Sequence, residues 1–333
     1  MQVKPGFIVF ENGDKITWST PHSGPALETP TSRDDNSDTV ASLCWMKIGG
    51  RLVISTMPRK RALGIDFNRD SPPLRKSLEY HRLFSENNCP EKLEEYRKKY
   101  AFCAADRRDH ERRMRIYRRF WSAVRESGRT VVFVHRKFTR LKNFPSIMDI
   151  VAYEGYGFSK NILAPLVKRI DRKYADFLLS IKENYVNAIL LEEKRTVERI
   201  AEIYGGFSLD SMGIEYKNNL LDDLLVIRRL ADSRRVERLD RHFTQKNFML
   251  AVRSALVNGG TPRITVESIF RGEHGRSQKR DIFRLKNVIS IESNAFINYW
   301  YPNEASDIIL DIVNEIKPMR KITEYLQDAS SEN

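Results

Sequence analysis

Apolar and polar positions follow two different periods along this chain, and the change of period divides it into strands and helices. Two apolar runs near the start, FIVF and KITWS, flank the turn sequence ENGD, a pattern that predicts a β-hairpin. Longer apolar runs typical of buried strands follow at 51–57, 128–138, 146–153 and 287–293. Shorter strands are expected at 63–70 and 264–270.

Helical periodicity fills the intervals between these strands. A helix beginning at Asp38 or Thr39 should end at Gly49-Gly50, and helical regions are expected over 74–127 and 160–183. Residues 184–258 contain no convincing strand and predict a helical insertion. The alternation predicts an α/β fold, with a mostly parallel central sheet covered by helices in one domain over 1–330. Residues 328–333 are expected to be a disordered tail.

Polar side chains follow four of the apolar runs. His22 follows the KITWS run in the sequence STPHSG, and Asn68-Arg69 end the segment 63–70. His135 and Glu292 end two further runs. Because sites in parallel sheets lie at the carboxyl ends of the strands, we expect these residues to meet at one edge of the sheet.

Two histidines and one carboxylate with an open fourth position are typical of a hydrolytic zinc site. His22 and His135 are the predicted imidazole ligands. The carboxylate ligand is either Asp35 or Asp38, and each of these could instead cap the following helix.

A second carboxylate that does not bind the metal can act as general base. Glu292 is the candidate, because a carboxylate at the end of a core strand is costly to bury unless it is paired or bound to something. Arg69 is the candidate clamp for a substrate carboxylate, which a guanidinium can bind through two parallel hydrogen bonds.

Several motifs occur in the order known from one enzyme family. They are TPHSG (20–24), RDDNSDT (33–39), GIDFNRD (64–70), VVFVHRKF (131–138), DIVAYEGYGFS (149–159) and ISIES (289–293). This ordered set resembles the PHxG, DTD, DLNR, DAHS, D-lGt-g-S and QLEL motifs of the N-formylglutamate amidohydrolases, which are relatives of the zinc carboxypeptidases. The resemblance covers about half of the chain.

The resemblance implies a phosphorylase/hydrolase-like fold of the zinc-exopeptidase type and one zinc ion per chain. It implies hydrolysis of an amide bond in an N-acyl amino acid or small peptide with a free carboxylate. It favours Asp38 over Asp35 as the third ligand and pairs Asn68 with Arg69 on the substrate carboxylate. It also adds His274, in RGEHG, as a substrate-binding candidate.

The chain departs from this family at two places. Arg136-Lys137 follow His135 where the family usually has serine, and the helical block has no counterpart in the family. The block lies between the DIVAY and ISIES strands, whose ends are both expected at the active edge. We therefore expect the insertion to form a lid or a subunit contact, which leaves a homo-oligomer open; a peripheral appendage is the alternative.

The formal net charge of +13 favours anionic partners, either a small carboxylate substrate or nucleic acid. The basic run 227–242 raises the alternative of a non-catalytic or repurposed nucleic-acid- or protein-binding module. Acidic residues within that run favour a solvated, salt-bridged helix face, so nucleic acid is the less favoured partner.

Other features of the sequence bear on where the protein works. No apolar run could span a bilayer, and the N-terminus has no signal-peptide pattern. The three cysteines show no CxxC spacing, so neither a disulfide framework nor an all-cysteine zinc site is expected. We expect a cytoplasmic protein with no membrane partner.

Overall fold

The computed structural model describes residues 1–13, 15–26, 33–59, 62–86, 89–126, 128–272 and 276–316. Within these ranges the strands are β1 (Gln2–Lys4), β2 (Phe7–Asn12), β3 (Ile16–Thr20), β4 (Gly50–Ser55), β5 (Thr130–Lys137), β6 (Ser146–Val151), β7 (Arg263–Val266) and β8 (Asn287–Asn294). They form one sheet in the order β1-β2-β4-β3-β5-β8-β6-β7.

The helices of the described ranges account for most of the remaining chain. They are α1 (Ser37–Ile48), α2 (Leu74–Ser85), α3 (Pro90–Lys99), α4 (Arg107–Arg125), α5 (Lys160–Lys173), α6 (Ala175–Ser180), α7 (Lys182–Tyr204), α8 (Ile214–Leu230), α9 (Ser233–Arg241), α10 (Gln245–Asn258), α11 (Arg276–Leu285), α12 (Ala295–Trp300) and α13 (Pro302–Ile316). None of them combines the length and apolarity needed to cross a membrane.

Parallel pairing dominates the centre of the sheet. β3, β4, β5 and β8 all run in one direction. β6 runs against β8, and β7 is parallel to β6, while β1 and β2 form an antiparallel edge. The predicted α/β fold with a mostly parallel, helix-covered sheet is confirmed.

Helices cover both faces of this sheet, as alternate residues of β5 show. Val131 and Phe133 pack into one apolar cluster, which includes the aromatic face of α4. Val132 and Val134 pack into a second cluster, which includes α1, α13 and the helices after β6. Since side chains alternate along a strand, a strand buried on both faces has a continuous apolar sequence.

The predicted hairpin of FIVF and KITWS is wrong, because β4 lies between β2 and β3. Gly49 and Gly50 make room for it. A Cβ on Gly49 would lie 2.4 Å from the Asn12 carbonyl oxygen, and one on Gly50 would lie 2.5 Å from that of Ile16. All five residues of β3 are buried, as a strand with neighbours on both sides requires. The actual hairpin joins β1 to β2.

The predicted strand at 63–70 is also wrong, since only Asp70 forms an isolated bridge, to Tyr100. Ile65 and Phe67 are buried, which explains the alternating pattern. The backbone turns locally instead of pairing: the Asn68 amide donates to the Asp66 carboxylate at 3.0 Å. The segment is therefore a loop at the carboxyl end of β4.

The helical insertion lies between β6 and β7 and shares the apolar cluster of one sheet face. Because β6 runs against β8, the end of β6 lies at the edge opposite Glu292, so the expectation that both strands end at the active edge is wrong. The insertion contacts the active edge through Arg140, after β5, which binds Glu193 of α7 at 2.6 Å and Asp223 of α8 at 2.5 Å. Its role as lid or subunit contact stays a prediction. The tail 328–333 lies outside the described residues.

Candidate metal centre

Four strands direct side chains to one edge of the sheet. His22 lies two residues beyond β3, and the loop after β4 carries Asp66 and Asn68. His135 lies in β5, in register with Glu292 of the parallel strand β8. The parallel direction of these strands therefore brings together the residues that follow separate apolar runs.

His22, Asp34 and His135 form a buried cluster at this edge. The Asp34 Oδ2 atom lies 3.2 Å from His22 Nδ1 and 2.8 Å from His135 Nδ1. One possible ligand atom from each residue lies within 4.8 Å of the others. Imidazole nitrogen and carboxylate oxygen are the donors that zinc binds in hydrolytic sites, so this set fits that ion.

The carboxylate of the cluster belongs to Asp34 and not to Asp35 or Asp38, the two residues that the sequence analysis selected. Asp35 pairs with Arg33 at 3.5 Å, and Asp38 pairs with the same guanidinium at 3.2 Å. Both side chains are partly exposed, at 35% and 26%, whereas that of Asp34 is 7% exposed.

Backbone geometry explains the choice among these acids. The Asp34 amide donates to the His22 carbonyl oxygen at 3.0 Å, which fixes Asp34 beside the imidazole. Asn36 then adopts a left-handed conformation with φ 59°, and α1 begins at Ser37. Asp38 therefore lies in the first turn of α1, where its carboxylate pairs with Arg33. No pattern in the sequence predicts which of three closely spaced aspartates faces the histidines.

Asp66 orients the His22 ring from its other side. Its Oδ1 atom lies 2.9 Å from His22 Nε2, and its Oδ2 atom accepts from Arg59 Nε at 3.0 Å. A carboxylate at Nε2 favours the tautomer that leaves Nδ1 free to bind a cation. Asp66 was not among the residues predicted from the sequence, although it lies within the GIDFNRD motif.

Asn68 and Arg69 both lie at this edge, as predicted from their position. Asn68 Nδ2 is 3.1 Å from His135 Nε2. The Arg69 guanidinium donates to the Asn68 carbonyl oxygen at 3.3 Å, and its buried Nε has no hydrogen-bond partner within the described part of the chain. Burial lowers the pKa of Arg69, against the opposing charge of Asp66. The guanidinium therefore has a buried donor that no described residue satisfies.

Glu292 and Asp149 are neighbouring carboxylates on β8 and β6, and they differ in what they bind. Asp149 accepts from the hydroxyls of Thr265 and Ser268 and from three backbone amides, at 268–270, which occupies both of its oxygens. Glu292 accepts one long hydrogen bond, 3.5 Å, from Ser290 within the described residues. Of the two, Glu292 is therefore the group that can exchange a proton.

The environment of Glu292 also favours its protonated form. Burial raises the pKa of Glu292, and the charges of Asp34 and Asp149 act in the same direction, against those of His135 and Lys137. A carboxyl group whose pKa is raised above its ordinary range is a common feature of general acid–base catalysts.

The two basic residues after His135 have separate environments. Arg136 donates to the Arg33 carbonyl oxygen at 2.8 Å and lies over the Phe138 ring. Lys137 is buried and donates to Ser146 Oγ at 2.7 Å. Burial lowers the pKa of Lys137 to about 8, against the opposing charges of Asp149 and Glu292. The only sequence signal for Lys137 was its departure from the family motif.

A pocket of about 460 Å³ lies beside this edge, lined by Asp70, Tyr117, Arg118 and Trp121 among others. None of the three cluster residues lines it, but Asp70 follows Arg69 in the chain and Tyr117 donates to the Arg69 carbonyl oxygen. The remaining predicted substrate residue, His274, lies outside the described residues.

Comparison with known proteins gives remote structural likenesses. No protein-family model and no curated protein matches the sequence. A gene product of Agrobacterium tumefaciens matches with a TM-score of 0.42 and 12% identity, over 94% of this chain and 92% of its own. N-formylglutamate amidohydrolase from Ralstonia eutropha matches with a TM-score of 0.41 and 10% identity, over 97% and 99%. At these scores neither likeness assigns an activity or a site to this chain.

Proposed function

We propose that this protein is a metal-dependent hydrolase, with zinc as the metal, that cleaves an amide bond in an N-acyl amino acid or small peptide with a free carboxylate. The observation that supports this most directly is the buried cluster of His22, Asp34 and His135 beside Glu292. A buried nitrogen and oxygen donor set next to a carboxyl group that has few hydrogen bonds is the arrangement that metal-assisted hydrolysis requires.

The imidazoles of His22 and His135 and the carboxylate of Asp34 would hold the ion. When bound there, zinc would polarise the amide carbonyl and lower the pKa of a water molecule. The residues around the cluster hold the ligands in place, because Asp66 and Asn68 contact the Nε2 atoms of the two imidazoles.

Glu292 performs the proton transfers in this proposal. Its carboxylate removes a proton from the attacking water and delivers it to the nitrogen of the leaving amine. Its raised pKa suits both steps, since a group that titrates nearer to neutral pH can accept and release a proton at comparable cost. Arg69 and Asn68 would orient the substrate carboxylate from the loop after β4.

The test is kinetic and uses Glu292→Gln, which keeps the shape of the side chain and removes the proton transfer. We expect kcat on N-acyl amino acids to fall by about 10²–10⁴-fold, with metal content and substrate affinity retained. Glu315→Gln, an exposed residue of α13, is the matched control and should leave kcat unchanged. A Glu292→Gln enzyme of near-normal kcat contradicts the role, and zinc-loaded protein that cleaves no N-acyl amino acid or dipeptide contradicts the function.

A basic nucleic-acid- or protein-binding module is the second candidate, and one observation favours it. Helix α4 exposes the side chains of Arg107, Arg108, Arg112, Arg115, Arg118, Arg119 and Arg125. Of these, Arg112 pairs with Asp109, and the basic run 227–242 likewise includes ion pairs, of Arg228 with Asp240 and of Arg241 with Glu237. Salt-sensitive binding of labelled RNA that weakens in an Arg115→Gln, Arg119→Gln variant would support a nucleic-acid-binding module, and no binding of RNA at low salt would count against it.

A further inference from the structure

Lys279 of α11 is a buried ammonium group that the proposed hydrolysis does not use. It is 1% exposed, and α11 packs on β8 beside the metal cluster. Its Nζ donates to Asn68 Oδ1 at 3.3 Å, which is its one hydrogen bond among the described residues. An ammonium carries three N–H donors, so a buried one with a single long hydrogen bond lacks partners.

Aromatic rings surround the remaining directions of this ammonium. Its Nζ lies 4.6 Å from the centroid of the Phe133 ring, 4.9 Å from that of Tyr153 and 5.9 Å from that of Trp121. The faces of aromatic rings attract a cation but accept no full hydrogen bond. The protein thus holds a cation at a fixed point without giving it a direct anionic partner among the described residues.

The charges around Lys279 indicate whether its ammonium favours an anionic or a cationic ligand. Burial lowers the pKa of Lys279 to about 7, against the opposing charges of Glu292 and Asp66, while the charge of Arg69 acts with burial. An anionic ligand beside Nζ would stabilise the ammonium form and add the missing acceptor. A carboxylate offers two such oxygens.

We infer that Lys279 is a specificity-determining residue whose ammonium receives the substrate's carboxylate, on the Asn68 side of the site. This rests on the proposed function but concerns recognition alone. Lys279, Asn68 and Arg69 together would then distinguish a free carboxylate from an amide. In this arrangement the aromatic rings hold the ammonium in position. The substrate carboxylate then provides the hydrogen-bond acceptor that the described residues do not provide.

The experiment compares two probes of similar shape, succinate and succinamide, titrated by calorimetry into the purified full chain. Wild-type protein should bind succinate more tightly than succinamide. In Lys279→Met the succinate Kd should rise at least about tenfold, while succinamide binding stays unchanged. Lys168→Met, at an exposed position of α5, is the control and should bind both probes as the wild type does. Lys279→Gln repeats the test with a polar side chain in case the Met variant fails to fold.

Three results would overturn the inference. They are equal wild-type affinity for the two probes, unchanged succinate affinity in a folded Lys279 variant, and equal weakening of both probes, which would mean that Lys279 only positions Asn68. Metal analysis of the same samples separates this question from the proposed function. Wild-type protein that binds no zinc would contradict the hydrolase proposal. Loss of succinate selectivity in a fully zinc-loaded Lys279→Met variant would support the role of Lys279 and would not affect the hydrolase proposal.

Discussion

Among the described residues, Asp34 is the one carboxylate in contact with both imidazoles of the cluster, so the ability of this edge to hold a cation depends on it. Burial raises the pKa of Asp34, but the charges and hydrogen bonds of His22 and His135 outweigh burial and hold the pKa well below its usual range. Asp34 is therefore ionised at neutral pH and needs cationic or hydrogen-bonding partners, which two imidazoles or a metal can provide.

Replacement of the three neighbouring acids one at a time tests this assignment. Loss of a residue that hydrogen-bonds to a metal ligand typically reduces metal affinity by about 10–100-fold. Asp34→Asn should reduce zinc affinity by more than this, because it removes a ligand itself. Asp35→Asn and Asp38→Asn are matched controls and should retain zinc, since their carboxylates bind Arg33. Zinc affinity from competition with a chelator is the measurement. Retention by Asp34→Asn, with loss in Asp38→Asn, would restore the assignment made from sequence.

Lys279 gives a prediction about stability and pH. Its pKa is about 7 in the folded chain against an ordinary value of 10.5, so below pH 7 it is charged in both states and the folded state bears the full cost of burial. Between these values the unfolded chain binds more protons, and the stability of the wild type rises with pH. Above about pH 10.5 the residue is neutral in both states, and the effect ends.

Lys279→Met should therefore be more stable than the wild type at pH 6, by at most about 5 kcal/mol, and this advantage should shrink by pH 10. Urea unfolding at pH 6, 8 and 10 is the measurement, with Lys168→Met as control. A stability difference that does not vary with pH, or a Lys279→Met variant less stable than the wild type at pH 6, would contradict this prediction. Either result would show that burial of the ammonium does not destabilise the folded state.

At the scale of elements, apolar runs predicted β4, β5, β6 and β8, because a strand buried on both faces leaves a continuous pattern in the sequence. Pairing was not predictable in the same way: FIVF and KITWS have the pattern of a hairpin, yet a strand more than thirty residues later separates them. The strand-end position of His22, His135 and Glu292 was sufficient to bring them to one edge. Lys279 could not be predicted from strand ends, because it lies on a helix that reaches the site only in the tertiary structure.

The insertion is joined to the loop after β5 by a buried ion-pair network. Arg140 binds Glu193 and Asp223, and both carboxylates are fully buried. Burial raises the pKa of Asp223 to about 7, and the charge of Glu193 adds to this effect, against the opposing charge of Arg140. Removal of the guanidinium would leave two carboxylates without their cation.

Arg140→Met should lower the free energy of unfolding by about 3–5 kcal/mol at pH 8. The loss should be smaller at pH 5.5, where protonation of the unpaired carboxyl groups relieves part of the cost. Arg195→Met removes an exposed pair with Glu192 and should cost less than about 1 kcal/mol. Denaturant unfolding at both pH values gives the numbers. Equal stability of the two variants would mean that the network does not hold the insertion in place.

At the scale of the whole molecule, the sheet topology explains why the described candidate residues meet at one edge. β3, β4, β5 and β8 are adjacent and parallel, so the residues after each of them converge, while β6 and β7 run in the opposite direction and add Asp149 as a buried structural carboxylate. The insertion after β6 returns to the same edge through Arg140. The fold thus surrounds the His22–Asp34–His135 cluster with other charged groups.

The most direct test of the proposed metal centre is the zinc content of the purified 333-residue chain, determined by mass spectrometry of the metal after dialysis against zinc and then buffer. We expect close to one zinc ion per chain in the wild type and almost none in a His22→Ala, His135→Ala variant that keeps the wild-type circular dichroism spectrum. A wild type that retains no zinc, or a double variant that retains as much zinc as the wild type, would contradict it.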